Sequence, residues 1–220
     1  MPRVANLIKR PLSALMSIQV EKGFSTVSWL SGRLFLSMAE SRDTVSSLIK
    51  MGFVEKVGTK IYLTGMGRRR LKVVMTGGVF DLIHMGHMAT LEGARRLGDM
   101  LVVIVARDIS VQRTKGRSPL NDEISRLRIV RSLKPVDAAI LGDKYDMFRV
   151  TQRIKPDVIA LGYDQKHDEA KIAEELRSRG ISVRVKRLMI RVPGAKTSNI
   201  LMQIGSGSCP QNRPEKQTRQ

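Results

Sequence analysis

The spacing of apolar residues changes near residue 70. Before that point it follows helical intervals. Leu12, Leu15, Met16 and Val20 predict a helix over 11–21. A second helix is expected over 25–36. A third begins at a cap on Ser41 or Asp43, turns Val45, Leu48 and Ile49 inward, and stops at Gly52. Residues 53–57 and 60–63 then read as two strands around a Gly58-Thr59 turn, and 64–71 as a closing turn or helix. After residue 70 short apolar, β-branched runs alternate with helical stretches. Strands are expected over 72–76, 101–106, 138–141, 158–161 and 183–185, with helices over 86–97, 123–133, 147–154 and 168–178 between them. Strand–helix alternation of this kind predicts a parallel α/β sheet. The last segment, 205–220, has no apolar periodicity and is expected to be disordered. Three zones result: 1–70, 71–204 and the 205–220 tail.

Composition narrows the class. The chain has 220 residues, 42% of them hydrophobic, enough to bury a core without disulfides or a structural metal. The apolar run 100–106 is too short to span a bilayer, and the first residues lack a signal-peptide pattern. A lone Cys209 excludes an intramolecular disulfide and a cysteine-built zinc site. A cytoplasmic protein with no membrane partner is expected. The net charge of +19 favours polyanionic partners. Twelve basic against four acidic residues give 1–70 a net +8, whereas the longer 71–204 carries +9. The first zone is therefore the more basic per residue.

Candidate chemistry concentrates after the first α/β strand, in Thr76-Gly77-Gly78-Val79-Phe80-Asp81-Leu82-Ile83-His84-Met85-Gly86-His87. A glycine pair permits a tight turn and close backbone approach to a phosphate. A helix starting near Gly86 would aim its N-terminal N–H groups at the same point. His84 and His87, three apart at that helix start, can face one bound group. A metal site would need a third ligand, and the remaining histidine, His167, lies in an expected loop far along the chain. A polyphosphate suits the pair better.

The run Gly78-x-Phe80-Asp81-x-x-His84-x-Gly86-His87 resembles the signature of the nucleotidyltransferase superfamily that includes cytidylyltransferases, pantetheine-phosphate adenylyltransferase and archaeal FAD synthases. Val79 stands where that family usually has threonine, which removes a hydroxyl and leaves the backbone N–H. Further segments are similar: Val105-Ala106-Arg107-Asp108; Lys115, where the family keeps a phosphate-binding lysine; Arg126, ten residues before Val136-Asp137; Lys155-Pro156-Asp157 through Gly162-Tyr163-Asp164-Gln165; and Arg191 to Ser198. The resemblance spans about residues 72–203. It implies a Rossmann-like nucleotidyltransferase domain in which His84, His87, Lys115 and Arg126 are catalytic. Gly78, Val79, Phe80, Asp81, Met85, Gly86, Asp164, Arg191, Thr197 and Ser198, with the two histidines, would bind the nucleotide. A divalent ion, Mg²⁺, would accompany the phosphates.

The order of elements in residues 1–70 resembles a winged helix-turn-helix domain. That resemblance implies possible DNA contacts through Arg42, Lys50, Lys56 and Lys60. The downstream segments look most like archaeal FAD synthases, which join FMN to the AMP of ATP. A glycerol-phosphate-type cytidylyltransferase using CTP is the first alternative. A nucleotide- or flavin-sensing DNA-binding regulator is the second. Both resembled families favour a homodimer.

Overall fold

In the computed structural model the described residues are 2–165, 167–193, 197, 200 and 202. The first unit contains helices α1 (Pro2–Lys22), α2 (Val27–Leu34) and α3 (Met38–Lys50), strands β1 (Val54–Val57) and β2 (Lys60–Leu63), and the short helix α4 (Gly65–Arg68). The α/β region follows as β3 (Val73–Gly78), α5 (Met85–Arg95), β4 (Met100–Val105), α6 (Asp108–Lys115), α7 (Glu123–Arg131), β5 (Ala138–Leu141), α8 (Arg149–Ile154), β6 (Val158–Leu161), α9 (Glu169–Ser178) and β7 (Arg184–Arg187). The expected tail, 205–220, lies outside the described residues.

Two expected elements differ from the structure, and one helix is additional. The first helix starts at Pro2 and runs through Pro11, which takes an intrahelical donor away. The cap of α3 is Ser37, not Ser41 or Asp43. Ser37 and Glu40 form a reciprocal capping box, while Ser41 is buried inside the helix. Helix α6 was not expected, because only Val111 of its short, polar sequence is buried.

The five-stranded sheet is parallel, in the order β5-β4-β3-β6-β7. After β5 the chain crosses back past β3 to lay down β6. The crevice at the carboxyl ends of β3 and β6 is therefore a topological switch point, where open parallel sheets bind ligands. Side chains alternate faces along every central strand. Val74, Leu101, Val103, Ala139, Val158 and Ala160 pack with Leu91 and Ala94 of α5 and Leu127 and Val130 of α7. Val73, Met75, Val102, Ile140, Ile159 and Leu161 face the opposite side, with Val150 and Ile154 of α8 and Ile172 and Leu176 of α9.

That second face has a further cover. Leu12, Leu15 and Met16 of α1 belong to the same apolar cluster, as do Leu30, Val45, Leu48, Phe53 and Ile61 of the first unit. Helix α1 packs on β5. Polar contacts join the same surfaces. Lys9 pairs with Asp99 at 2.8 Å, Arg68 pairs with Asp157 at 3.0 Å, and Glu21 pairs with Arg131 at 3.3 Å. Glu21 also accepts the Ala139 N–H on the outer strand β5 at 3.2 Å. An edge strand's free N–H is thereby satisfied by a side chain rather than by another strand.

Candidate active site

Strand β3 ends at the glycine pair, and the chain turns through Phe80, whose φ of 54° is left-handed. The Phe80 ring is buried and lies flat against Gly78. A Cβ built on Gly78 would sit 3.0 Å from two of its ring carbons. The other side of the ring approaches His87, with centroids 5.3 Å apart. Phe80 thus connects the glycine turn to the first turn of α5.

His84 is the N-cap of α5, yet its side chain makes no capping hydrogen bond. The first N–H groups of a helix have no intrahelical partner, so those of Met85 and Gly86 remain available at this end. The two imidazoles stack, with centroids 3.9 Å apart and planes 34° apart. The Nδ1 atoms of both are buried without a hydrogen-bond partner among the described residues. Buried polar atoms without partners are uncommon and call for an explanation.

Burial dominates the electrostatics of the pair. Burial pushes the His87 pKa down, His84 and Lys115 push it further, and Asp164 opposes them; the result is about 4. Burial also lowers the His84 pKa, against the pull of Asp164. Both rings are therefore neutral at pH 7. Lys115, exposed at the end of α6, stands close enough to act on His87. Asp164, exposed after β6, acts on both rings. Lys115 and Asp164 thus approach the histidines from opposite sides of β3.

Other expected site residues serve the frame. Arg126 is 0% exposed. It donates to Asn121 O at 3.0 Å, to Ala106 O at 2.8 Å, to Val79 O, and to Asp108 Oδ1 at 2.6 Å. The expected grip on a phosphate is not open to it, because protein oxygens occupy its guanidinium. It instead joins the ends of β3 and β4 to the start of α7. Asp81 is also buried. Its Oδ1 accepts the N–H groups of Leu120 and Asn121 at 2.8 and 3.0 Å, and Arg117 lies 3.4 Å from Oδ2. Burial pulls the Asp81 pKa up, but these donors outweigh it and leave the group below its ordinary value. Asp81 therefore secures the loop after α6. Met85 projects into solvent, Val79 and Gly86 are half-buried, Arg191 is exposed and Thr197 is half-buried. Ser198 lies outside the described residues.

Two positioning residues went unread in the sequence. Gln165 Nε2 donates to Gly77 O at 2.7 Å, and its Oε1 accepts the Gly162 N–H at 3.1 Å. Arg187, at the end of β7, donates to Gly162 O at 3.1 Å and to Gln165 O at 2.6 Å. Together they fix the loop that carries Asp164 against the glycine turn. The run Gly162-Tyr163-Asp164-Gln165 was a signal for Gln165, but nothing in the spacing points to Arg187.

A family model described as cytidylyltransferase-like matches residues 75–203. The chain belongs to the cytidylyltransferase-like family. It is a nucleotidyltransferase. An FAD synthase from Aciduliprofundum boonei is 55% identical over 115 residues, covering 52% of this chain and 76% of that protein. An FAD synthase from Pyrococcus abyssi is 42% identical over 146 residues, covering 65% of this chain and 98% of that protein. The crystal structure of a lipopolysaccharide core biosynthesis protein from Thermoplasma volcanium superposes with a TM-score of 0.54. It is 45% identical and covers 56% of this chain and 99% of its own. Among the described residues no group of three His, Cys, Asp or Glu could hold a metal ion, and no helix is long and apolar enough to cross a membrane.

Proposed function

We propose that the protein is a cytoplasmic FAD synthase that transfers AMP from ATP to FMN. The carrying observation is the pair of stacked imidazoles, each with a buried unpartnered nitrogen, at an uncapped helix start beside a glycine turn. The names of the archaeal relatives supply the substrates.

In this reading a phosphate oxygen of FMN attacks the α-phosphorus of ATP. A new P–O bond forms, the bond from that phosphorus to the α–β bridging oxygen breaks, and its electron pair leaves with pyrophosphate. The FMN phosphate is already ionised near neutral pH, so no strong base is needed. Catalysis is alignment plus stabilisation of charge building on the phosphates. His84 and His87 donate to the α-phosphate and the bridging oxygen. Lys115, Arg191, Thr197 and Ser198 hold outer oxygens, and Asp164 contacts the nucleoside. Arg126 acts through the backbone of Val79 and Ala106. The triphosphate enters as its divalent-cation complex, with Mg²⁺ the proposed ion, which neutralises phosphate charge and is part of the substrate. The working form is a homodimer.

The test is to incubate the full chain with FMN, Mg²⁺ and either ATP or CTP, and to follow FAD and pyrophosphate. ATP-dependent FAD formation supports the proposal. Pyrophosphate release only with CTP and glycerol phosphate supports the cytidylyltransferase reading instead.

A second reading concerns residues 1–70. Arg42 and Lys50 on α3 and Lys56 and Lys60 on the β-hairpin are all exposed. That surface suits phosphate contacts to DNA, in a regulator whose nucleotidyltransferase region senses a nucleotide or flavin. Retention on duplex DNA that falls steeply with salt, and is weakened by Lys56→Glu, supports it. Salt-insensitive or absent retention removes it.

A further inference from the structure

A second cavity lies at the opposite end of the sheet, where the first unit meets the strand starts. Its volume is about 650 Å³, within the usual range for small-molecule sites. Helix α1 contributes Lys9, Arg10 and Ser13, the end of α2 contributes Arg33 and Phe35, and Arg95 comes from α5.

Two features of this cavity bear on what it could bind. The first is its charge. The two carboxylates on its wall are already engaged. Asp99 accepts the Lys72 N–H and pairs with Lys9, each at 2.8 Å. Asp137 accepts the Leu101 N–H at 2.7 Å and pairs with Arg95 at 3.0 Å. Arg33 pairs with Glu21 at 3.0 Å, and Glu21 is shared with Arg131. Arg10 has no carboxylate partner among the described residues. Four cations of the lining, Lys9, Arg10, Arg33 and Arg95, therefore stand against two carboxylates, and Arg10 is the one without a carboxylate partner among the described residues.

The second feature is Phe35. It ends α2 in a left-handed conformation, φ 57°, where glycine is the usual residue. Its ring is 93% exposed. A bulky side chain in this backbone region is disfavoured, and here no packing offsets it. The left-handed turn itself closes α2, with the Phe35 and Leu36 N–H groups donating to Ser31 O, but no packing accounts for a bare aromatic ring at this position. An exposed ring at the rim of a cationic cavity is a stacking platform beside an anion site.

We propose that this cavity binds a phosphate ester of a planar ring system, with the ring on Phe35 and the phosphate among Arg10, Arg33 and Arg95. Flavin phosphates and adenine nucleotides share this chemistry. The site touches both the first unit and the sheet, so its occupant bridges them.

Hydrogen-exchange mass spectrometry of the full chain with FMN, FAD or ADP locates the occupant directly. The expected result is protection of peptides covering 9–17 and 33–35 by at least one of the three, on a concentration dependence separate from that of peptides covering 76–87. The ligand that produces it identifies the source, flavin or adenine. In the double variant Arg10→Glu, Phe35→Ala this protection requires about tenfold more ligand or is lost. The 76–87 response and nucleotidyl transfer are retained. Protection confined to 76–87 with all three ligands overturns the proposal, as does an unchanged response in the double variant. If the variant does not fold, the wild-type exchange pattern alone decides.

Discussion

At the carboxyl ends of the strands, His84 and His87 bury Nδ1 atoms that have no partner, and the first turn of α5 has no side-chain cap. At the opposite ends, Asp99, Asp137 and Glu21 each accept a backbone N–H and pair with a cation. The Nε of Arg68 is the one buried charged-group atom without a partner there among the described residues. The contrast separates polar groups whose partners the protein supplies from those it leaves without one. A buried polar atom without a partner is destabilising by a few kcal/mol at most sites, and in the proposed reading phosphate oxygens would complete the bonding of the two histidines. Groups that hold two units together carry their partners with them. Arg126 shows that the distinction cuts through the active-site region itself. It is as cationic as Lys115, but its donors are spent on the protein.

The sharpest break of this contrast is at Arg126. Arg126→Ala should destabilise the fold by about 3–5 kcal/mol, the scale for removing one partner of a buried charged network. Thermal unfolding measures this, and a stable variant with only a binding defect would make Arg126 a ligand after all. His87→Ala should behave in the opposite way. Turnover should fall roughly 10²–10³-fold, the scale for one lost oxyanion donor, while the unfolding midpoint holds or rises. Near-normal pyrophosphate release from that variant would remove His87 from the chemistry. Glu21→Ala leaves the Ala139 N–H, Arg33 and Arg131 without their acceptor and should reduce stability by about 1–3 kcal/mol, with kcat retained.

A smaller effect sharpens the same contrast through pH. Burial pushes the His87 pKa down to about 4, below the ordinary 6.5 of an imidazole. Above pH 6.5 it is neutral in both the folded and the unfolded chain. As pH falls from 6.5 toward 4, the unfolded chain takes up the proton first and stability declines. His87→Ala should flatten that part of a stability–pH curve. A bound triphosphate reverses the balance, because its charge favours the imidazolium. Nucleotide affinity should therefore rise as pH falls from 8 to 6, by less than about tenfold per pH unit for each proton bound. Calorimetry in buffers of different ionisation heat measures the proton uptake. Lys9→Met should have the smallest effect, about 1 kcal/mol or less, since its partner is partly exposed.

The elements of the sheet were legible because each strand is a β-branched apolar run and each crossover helix has its own stripe. The expected β5 and β6 have the same limits in the structure. The glycine turn and the histidine pair were legible for a related reason: one strand, one turn and one helix start bring them together within twelve residues. The α3 cap was misplaced although its Ser-x-x-Glu signature stands in the sequence at 37–40. Helix α6 was missed because a short helix with one buried side chain has no periodicity to read.

By itself the sequence determined what is local: the alternation that makes the sheet, the basic first unit, and the glycine–histidine motif. The tertiary structure decided what depends on residues far apart in the chain. It turned Arg126 and Asp81 inward, placed Gln165 against Gly77, and laid α1 on the sheet so that both units share one apolar cluster. The physical reason is that a charge pattern records which groups are present. Whether a cation meets solvent, ligand or a buried carbonyl is decided only when distant segments pack around it.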